Sequence, residues 1–284
     1  MITLIIPAYN EEGYIGPCLR MLLGSVAPEL GGTPQPVEVI VVANGCHDGT
    51  VAEAEAEQPA YGERGWVLRV LDLAEGSKTR AMNAGSAAAR FPLQVFIDAD
   101  IHVTPGLVAA LAGALNRREP CYASGRPSIR RSSNWVSRQY ARFWQRLPFM
   151  ATGVPGCGVY GVNAAGRARW DQVPEVISDD IYIRNHFTPN EMISVPDGYS
   201  WPIADGFARL VRVRRRQNEG LEELRQKFPD LTAQRERTSP DGLHKLALLL
   251  RDPLGFAVYA LVALAVHTPL FANRTRWERG RDTA

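Results

Sequence analysis

Three short, almost continuous apolar runs near the start of the chain constrain its fold more than any other feature. Residues 2–7, 37–42 and 67–71 are rich in β-branched side chains, and each run is followed by a loop and a segment of helical character. Strands that read as continuous apolar runs belong to parallel sheets covered by helices on both faces. The first part of the chain is therefore predicted to form such an α/β sheet.

A fourth apolar run ends in two carboxylates, Asp98 and Asp100, separated by Ala99. If the chain stays extended here, both acids lie on the same side, where hard oxygen ligands can hold a divalent cation beside a phosphate. Ligands of such sheets bind at the carboxyl ends of the strands, so the pair is expected in a binding crevice. A turn with capping carboxylates is the alternative.

Polar loops follow the other predicted strands as well. Residues 10–12 follow the first run, residues 44–49 the second, and Asp72 the third. Since the carboxyl ends of parallel strands share one sheet edge, these loops are expected to converge on one crevice with Asp98 and Asp100.

Composition narrows the class of protein. The 284 residues are 45% hydrophobic, enough for one sizeable core, and the net charge of +2 does not indicate a nucleic-acid partner. The four cysteines have no Cys-x-x-Cys spacing, which argues against zinc and favours a reduced compartment. The N-terminus has no pattern typical of a secretory signal.

Four motifs occur with an order and spacing that resemble the family 2 glycosyltransferases of GT-A type. They are residues 6–12, 44–50, 78–85 and 98–100. The resemblance is close over about the first 125 residues and looser over residues 154–220. It implies a GT-A fold, which is a Rossmann-like, mostly parallel sheet flanked by helices, and a nucleotide-sugar donor.

The resemblance also implies roles for individual residues. Asp98 and Asp100 would hold the diphosphate through Mn²⁺ or Mg²⁺, and Asp179 and Asp180 fall at the family's later acidic pair, in which the second acid, Asp180, is the usual candidate base. Capping of a helix after Ser178 is the alternative for this pair. The residues expected to bind the donor are Pro7, Ala8, Tyr9, Glu11, Asn44, Lys78 and Asp98.

Two departures from the family pattern affect the expected activity. Residues 43–46 stand where the family usually has two aspartates and a Gly-Ser, so the carboxylate that commonly recognises a uracil ring is missing, although Asn44 can still donate and accept hydrogen bonds. The identity of the donor base is therefore open, with UDP as the first expectation. Residues 214–220 keep the basic residues and glycine of the late Gln-x-x-Arg-Trp motif but have no tryptophan. An enzyme that adds one sugar is therefore expected over a processive synthase.

Other polar and glycine residues allow two interpretations each. Lys78 and Arg80 could meet phosphate oxygens or lie on a solvated helix face. His102 could complete a metal shell or be an exposed loop residue. The glycine-rich residues 153–161 could bring backbone close to a sugar or form a tight turn.

Two segments suggest a membrane surface. Residues 254–273 lack Asp, Glu, Lys and Arg, and basic residues flank them on both sides. This pattern favours a helix that lies in or on the cytoplasmic leaflet over a helix that spans the bilayer. A buried core helix is the alternative. Residues 135–147 combine an aromatic stripe with Arg138, Arg142 and Arg146, as in an amphipathic membrane helix. Packing of that stripe in the core is equally compatible.

We therefore expect a GT-A catalytic domain at 1–220 (1–125 for the donor, 126–220 for the acceptor) and a helical region at 221–284 that is a candidate for membrane association. The expected activity is inverting, metal-dependent, hexosyltransferase-like transfer to a sugar or lipid-linked cell-envelope acceptor. The expected location is the cytoplasmic side of the bacterial membrane, peripheral or monotopic, with no nucleic-acid partner. The alternatives are a sugar nucleotidylyltransferase and a noncatalytic nucleotide-sugar-binding membrane protein.

Overall fold

The computed structural model describes residues 1–151, 153–233, 248–269 and 271. The strands are β1 (Ile2–Ala8), β2 (Glu29–Leu30), β3 (Thr33–Pro34), β4 (Val37–Asn44), β5 (Val67–Leu73), β6 (Leu93–Ile97), β7 (His102–Val103), β8 (Tyr122–Ile129), β9 (Val159–Val162) and β10 (Met192–Trp201). The α-helices with fully described bounds are α1 (Ile15–Leu23), α2 (Thr50–Glu55), α3 (Gln58–Glu63), α4 (Lys78–Ala88), α5 (Leu107–Leu115), α6 (Trp135–Trp144), α7 (Pro148–Ala151), α8 (Ala164–Arg167), α9 (Asp179–Arg184), α10 (Phe207–Lys227), α11 (Pro229–Ala233) and α12 (Pro253–Ala265).

Eight strands form one sheet in the order β5-β4-β1-β6-β9-β8-β10-β7. The pairs β5–β4, β4–β1 and β1–β6 are parallel, as the apolar runs predict, and all eight residues of β4 are buried. The pairs β6–β9, β9–β8 and β10–β7 are antiparallel, so the sheet as a whole is mixed. The predicted parallel character is therefore confirmed for the first half of the sheet.

The chain forms two compact units. The first comprises residues 1–127, 156–175 and 179–201, and the second comprises residues 128–155, 176–178 and the described residues from 202 onward. The boundary predicted at residue 220 falls inside the continuous helix α10. Of the helical region predicted at 221–284, residues 234–247, 270 and 272–284 lie outside the described residues.

Helix α4 packs directly on the parallel strands because it carries a glycine at the contact. A Cβ atom on Gly85 would lie 2.5 Å from Cγ2 of Ile5 in β1 and 3.1 Å from Cγ2 of Val42 in β4. Only a residue without a side chain allows this approach. The close packing fixes the first residue of α4, Lys78, relative to the two strands.

A buried carboxylate joins the parallel strands near their amino ends. Glu38 in β4 is 0% exposed and accepts hydrogen bonds from Thr3 Oγ1 (2.9 Å), Arg90 N (2.9 Å), Arg90 Nε (2.7 Å) and Arg69 Nη1 (3.3 Å). Burial alone would raise the pKa of Glu38, but these hydrogen bonds from Arg90, Thr3 and Arg69 lower it below its usual range. The ionised form therefore stabilises the fold.

In the second unit, helices α6, α10 and α12 share a core. Rings of α6 pack on α12, with Tyr140 and Tyr259 stacked at 5.3 Å and Phe143 edge-on to Phe256 at 5.7 Å. Of the aromatic stripe predicted for a membrane surface, Tyr140 and Phe143 are thus buried inside this unit, Trp144 and Leu147 are half-buried, and Trp135 is 50% exposed. Of the two interpretations of this stripe, the structure supports packing in the core.

The amino end of α12 depends on a buried acid that also binds the basic stripe of α6. Asp252 is 3% exposed, accepts a hydrogen bond from Gly255 N (3.0 Å), and forms ion pairs with Arg142 (2.5 Å) and Arg146 (2.8 Å). These arginines are therefore used within the unit and do not form a simple solvated stripe. Within the described part of the chain, no helix has the length and apolar character needed to cross a membrane.

Replacing Glu38 by Gln should lower the free energy of unfolding by about 1–3 kcal/mol, because it removes the charge from a set of charge-assisted hydrogen bonds. Urea denaturation measures this. Since the pKa of Glu38 is lowered in the fold, the advantage of the wild type should be full near neutral pH and shrink as the pH falls and the carboxyl is protonated.

The exposed Glu29→Gln variant is the control and should change stability little. Equal stability of the Glu38→Gln variant and the wild type at neutral pH would contradict the role of this carboxylate.

Candidate active site

The loops after β1 and β4 hold each other through side chain to backbone hydrogen bonds. Asn10, which has a positive φ of 51°, accepts a bond from His47 N at 2.8 Å. Glu12 N donates to Asp48 Oδ2 at 3.2 Å, and Gly49 N donates to Glu12 Oε2 at 3.0 Å. These polar side chains of both motifs therefore stabilise the conformation of the two loops.

The loop after β5 meets the loop after β4 at two glycines. Gly45 has a φ of 67°, and a Cβ atom there would lie 2.6 Å from Gly76 N. A Cβ atom on Gly76 would in turn lie 3.4 Å from the ring of Tyr9 after β1. The predicted convergence of these loops is confirmed.

Asn44 ties two strand ends together. It is 3% exposed, and its amide donates to the Ala8 carbonyl at 2.6 Å. Its burial leaves little of the amide for a ligand. Of the residues predicted to bind the donor, Ala8 and Asn44 are buried, while Pro7, Tyr9, Glu11, Lys78 and Asp98 are partly exposed.

The predicted acidic pair lies in a turn directly after β6 and not on an extended segment, because Ile101 N donates to Asp98 O at 3.2 Å. The prediction that residues 98–100 are extended is therefore wrong, and the alternative of a turn is correct. Aspartate is a residue that turns favour. Asp98 and Asp100 are nevertheless both partly exposed, whereas Ala99 and Ile101 are buried. The turn therefore presents both carboxylates and buries the residues between and after them.

A glycine of the 153–161 segment lies against Asp98. Gly158 O accepts a hydrogen bond from Asp98 N at 2.8 Å. Gly158 has a φ of 74°, and a Cβ atom there would lie 2.9 Å from Ile101 Cδ1 and 3.3 Å from Asp98 Oδ2. This segment therefore supplies both a tight turn and close contact with the first acid.

Lys78, the first residue of α4, joins the two acidic motifs. Its Nζ lies 3.0 Å from Asp98 Oδ1 and 3.3 Å from Asp179 Oδ2, and its side chain is 27% exposed. Burial would lower the pKa of Lys78, but the carboxylates Asp179, Asp98 and Asp180 together raise it above its usual value. Lys78 is therefore a permanent cation between acids that lie far apart in the sequence.

The two acids of the later pair differ in environment. Asp179 is 4% exposed and has Lys78 beside its Oδ2, whereas Asp180 is partly exposed and accepts a bond from Ile181 N at 2.8 Å. Burial and the charge of Asp179 raise the pKa of Asp180 to about 6, against the opposing charge of Lys78. Asp180 is thus a partly exposed carboxyl group whose pKa lies closer to neutral pH than that of an ordinary aspartate.

A cavity of about 530 Å³ lies in the first unit beside α4. Asn83 fixes its wall, because the Asn83 amide donates to Val173 O and accepts from Val173 N, both at 2.9 Å. Asn83 belongs to the motif at 78–85, but nothing in the motif's sequence indicated the cavity. Its lining residues are Thr79, Arg80, Asn83, Arg169, Trp170, Asp171, Gln172, Val173, Pro174, Glu175 and Tyr182.

The site offers two carboxylates, Asp98 and Asp100, to a metal ion, so the ion would need further ligands from the substrate. Among the residues that the structure describes, no group of three or more His, Cys, Asp or Glu side chains could hold a metal. His102 lies in β7 opposite Ser200 of β10. The carboxylates Asp98 and Asp100 fit an ion such as Mg²⁺, which proteins often bind through one or two carboxylates together with substrate phosphates and water.

The mixed α/β sheet carries partly exposed acidic residues in the loops that follow its parallel strands, where sheets of this kind bind their ligands. Residues 3–173 match the family model described as Glycosyl transferase family 2. This match covers more than half of the 284 residues, and the chain belongs to that family.

Comparison with known proteins agrees with this assignment. The chain is 37% identical over 101 residues to a dolichyl-phosphate beta-glucosyltransferase of Drosophila melanogaster, which is 35% of this chain and 30% of that protein. The match thus spans less than a third of that relative's length.

Solved structures show the same GT-A fold. The mannosyltransferase PcManGT from Pyrobaculum calidifontis, in complex with GDP-Man and Mn²⁺, aligns with a TM-score of 0.58 at 19% identity, over 95% of this chain and 76% of that chain. S. aureus TarS 1-349 in complex with UDP aligns with a TM-score of 0.53 at 14% identity, over 95% and 75%. The predicted fold class is confirmed.

Replacing Gly158 by Ala should weaken nucleotide binding as well as stability, because the new methyl group would press on Asp98 and Ile101. The matched control is Gly65→Ala, since Gly65 has a φ of 75° but a methyl group added there would have nothing within 4 Å. Both variants should lose about 1 kcal/mol of stability from backbone strain. Calorimetric titration with UDP and GDP in the presence of Mn²⁺ should show weaker binding for Gly158→Ala alone; equal affinities would contradict the contact with the site.

Proposed function

We propose that the protein transfers one sugar from a nucleotide-sugar donor to an acceptor hydroxyl with inversion at the anomeric carbon. The observation that carries this is the unequal environment of Asp179 and Asp180 around Lys78, next to Asp98. Asp179 is neutralised by a cation, whereas Asp180 keeps a partly exposed carboxylate with a raised pKa. Family membership favours glycosyl transfer over nucleotidyl transfer.

In the proposed step, the acceptor oxygen attacks the anomeric carbon while its proton passes to the carboxylate of Asp180. The bond between the anomeric carbon and the diphosphate oxygen breaks, and the diphosphate leaves with the electron pair. One base and a single displacement from the side opposite the leaving group invert the configuration. Asp179 cannot serve equally, because it is buried against Lys78.

For the donor, Asp98 and Asp100 would hold a divalent ion, Mn²⁺ or Mg²⁺, which supplies positive charge to the leaving diphosphate. Lys78 keeps Asp98 and Asp179 in place and adds a cation to the crevice. Asn44 is buried and carries no carboxylate that could select uracil, so the choice of base is open. The similar structures carry UDP in one case and GDP-Man in the other.

For the acceptor, we propose a lipid-linked or other cell-envelope glycan, used in a nonprocessive reaction at the cytoplasmic face of the bacterial membrane. The support is the relative whose name specifies dolichyl phosphate and the uncharged run at 254–273. Residues 1–125 would serve the donor and residues 126–220 the acceptor, with residues 221–284 contributing peripheral or monotopic membrane contact.

Replacing Asp180 by Asn should lower turnover by about 10²- to 10⁴-fold, because the amide cannot accept the proton. Donor affinity should barely change. Release of UDP, GDP or dTDP from a panel of nucleotide sugars measures turnover. Asp179→Asn is the companion variant and should mainly lower stability and disturb Lys78; a larger loss of turnover there than in Asp180→Asn would move the base to Asp179.

The same base predicts a pH dependence. Since Asp180 must be ionised and its pKa is about 6, kcat/KM should fall about tenfold per pH unit below pH 6 and level off above it. The Asp180→Asn variant should lack this limb. Lys78→Met should move the limb to higher pH, because the cation that lowers the pKa of Asp180 is gone.

Replacing Asp100 by Ala should abolish the Mn²⁺-stimulated part of donor binding while leaving the fold intact, because the side chain is partly exposed in the turn after β6. Thermal stabilisation by nucleotide sugars with and without Mn²⁺ measures this. Unchanged Mn²⁺ dependence in the variant would remove Asp100 from the metal site. A wild type that binds donors without any turnover would indicate a noncatalytic nucleotide-sugar-binding protein.

A further inference from the structure

Helix α12 has two apolar faces, and only one of them is covered. Val258, Val262 and Val266 are buried in the core shared with α6 and α10. On the other side, Leu254, Leu261 and Leu264 are 59%, 56% and 66% exposed. These three side chains are spaced by seven and three residues, so they share one side of the helix. We call them the leucine face.

An ordinary surface helix presents polar and charged residues to water on its outer side. Helix α12 contains no charged residue, and its outer side is formed by leucines, which water solvates poorly. Leu250, just before the helix, is also apolar and is 75% exposed. An apolar surface of this kind marks a site of association.

The charges at both ends of this surface favour an anionic partner. The exposed Arg251 precedes α12, and Arg142 and Arg146 together meet the single acid Asp252 at its amino end. At the carboxyl end of the helix, the partly exposed Arg215 donates hydrogen bonds to the backbone carbonyls of the last turn.

A second copy of the chain fits this charge pattern poorly. Whether two leucine faces met in parallel or antiparallel orientation, basic ends would face basic ends. A bilayer with anionic headgroups offers apolar depth for the leucines and negative charge for both flanks. The 13 residues of α12 span about 20 Å, too short to cross the hydrocarbon core, so the helix would lie in the plane of the interface.

We propose that the leucine face inserts into the headgroup and acyl boundary of an anionic membrane and docks the protein there. This names α12, and not the aromatic stripe of α6, as the lipid-contacting element. The inference rests on the proposed function in one respect, because membrane docking would bring the protein to the proposed lipid-linked acceptor. The surface itself is independent of the chemistry.

The test compares the full-length wild type with a variant carrying Leu254→Gln, Leu261→Gln and Leu264→Gln. The matched control is Leu30→Gln in β2 of the first unit, because Leu30 is 56% exposed, the same as Leu261. Cosedimentation is measured with phosphatidylcholine vesicles with and without phosphatidylglycerol. The wild type and Leu30→Gln should bind the anionic vesicles in a salt-sensitive way, and the triple variant should bind at least about tenfold more weakly.

Three results would overturn the proposal. The first is failure of the wild type to bind anionic vesicles, and the second is equal binding by the triple variant. The third is a wild-type dimer in lipid-free solution that the triple variant does not form, because this would assign the leucine face to self-association. Circular dichroism and titration with UDP and GDP in the presence of Mn²⁺ check that the variants are folded. Vesicle binding without any donor turnover would refute the proposed function and leave the docking surface standing.

Discussion

The contact of Lys78 with two distant acids is the interaction on which the candidate site depends. Asp98 follows a central strand and Asp179 begins a helix much later in the chain, and both lie within 3.3 Å of one ammonium group. Without that cation, three carboxylates would repel one another in a partly buried crevice. Lys78 can reach them because Gly85 lets α4 lie against the strands. The charge balance of the site therefore rests on a packing contact about two turns along the same helix.

Much of the first half of the fold follows from sequence. Continuous β-branched runs predicted the parallel strands because burial on both faces leaves no polar alternation. The antiparallel half was not predicted, since strands such as β8 and β10 are partly exposed and contain glycine and proline, which mask the signal. Periodicity in α6 located the aromatic stripe correctly but could not say what covers it, because membrane and protein core favour the same side chains.

The candidate site shows the same division between residue type and environment. Motif spacing located Asp98, Asp100, Asp179 and Asp180, yet the turn at Asp98 and the separate surroundings of the later pair depend on contacts between distant segments. Asn44 was expected to face a ligand, but the structure uses its amide to join β4 to the end of β1. A polar residue at a strand end can serve either purpose, and only its burial distinguishes them.

The pairing of Asn83 with Val173 has a mechanical meaning for the neighbouring cavity. The amide holds the cavity wall to α4 by two hydrogen bonds, and five residues earlier the same rigid helix carries the Lys78 ammonium. A substitution at Asn83 removes both hydrogen bonds that join the cavity wall to α4. Because Lys78 begins the same helix, a change in the shape of the cavity made at this position also acts on the element that carries the cation of the site.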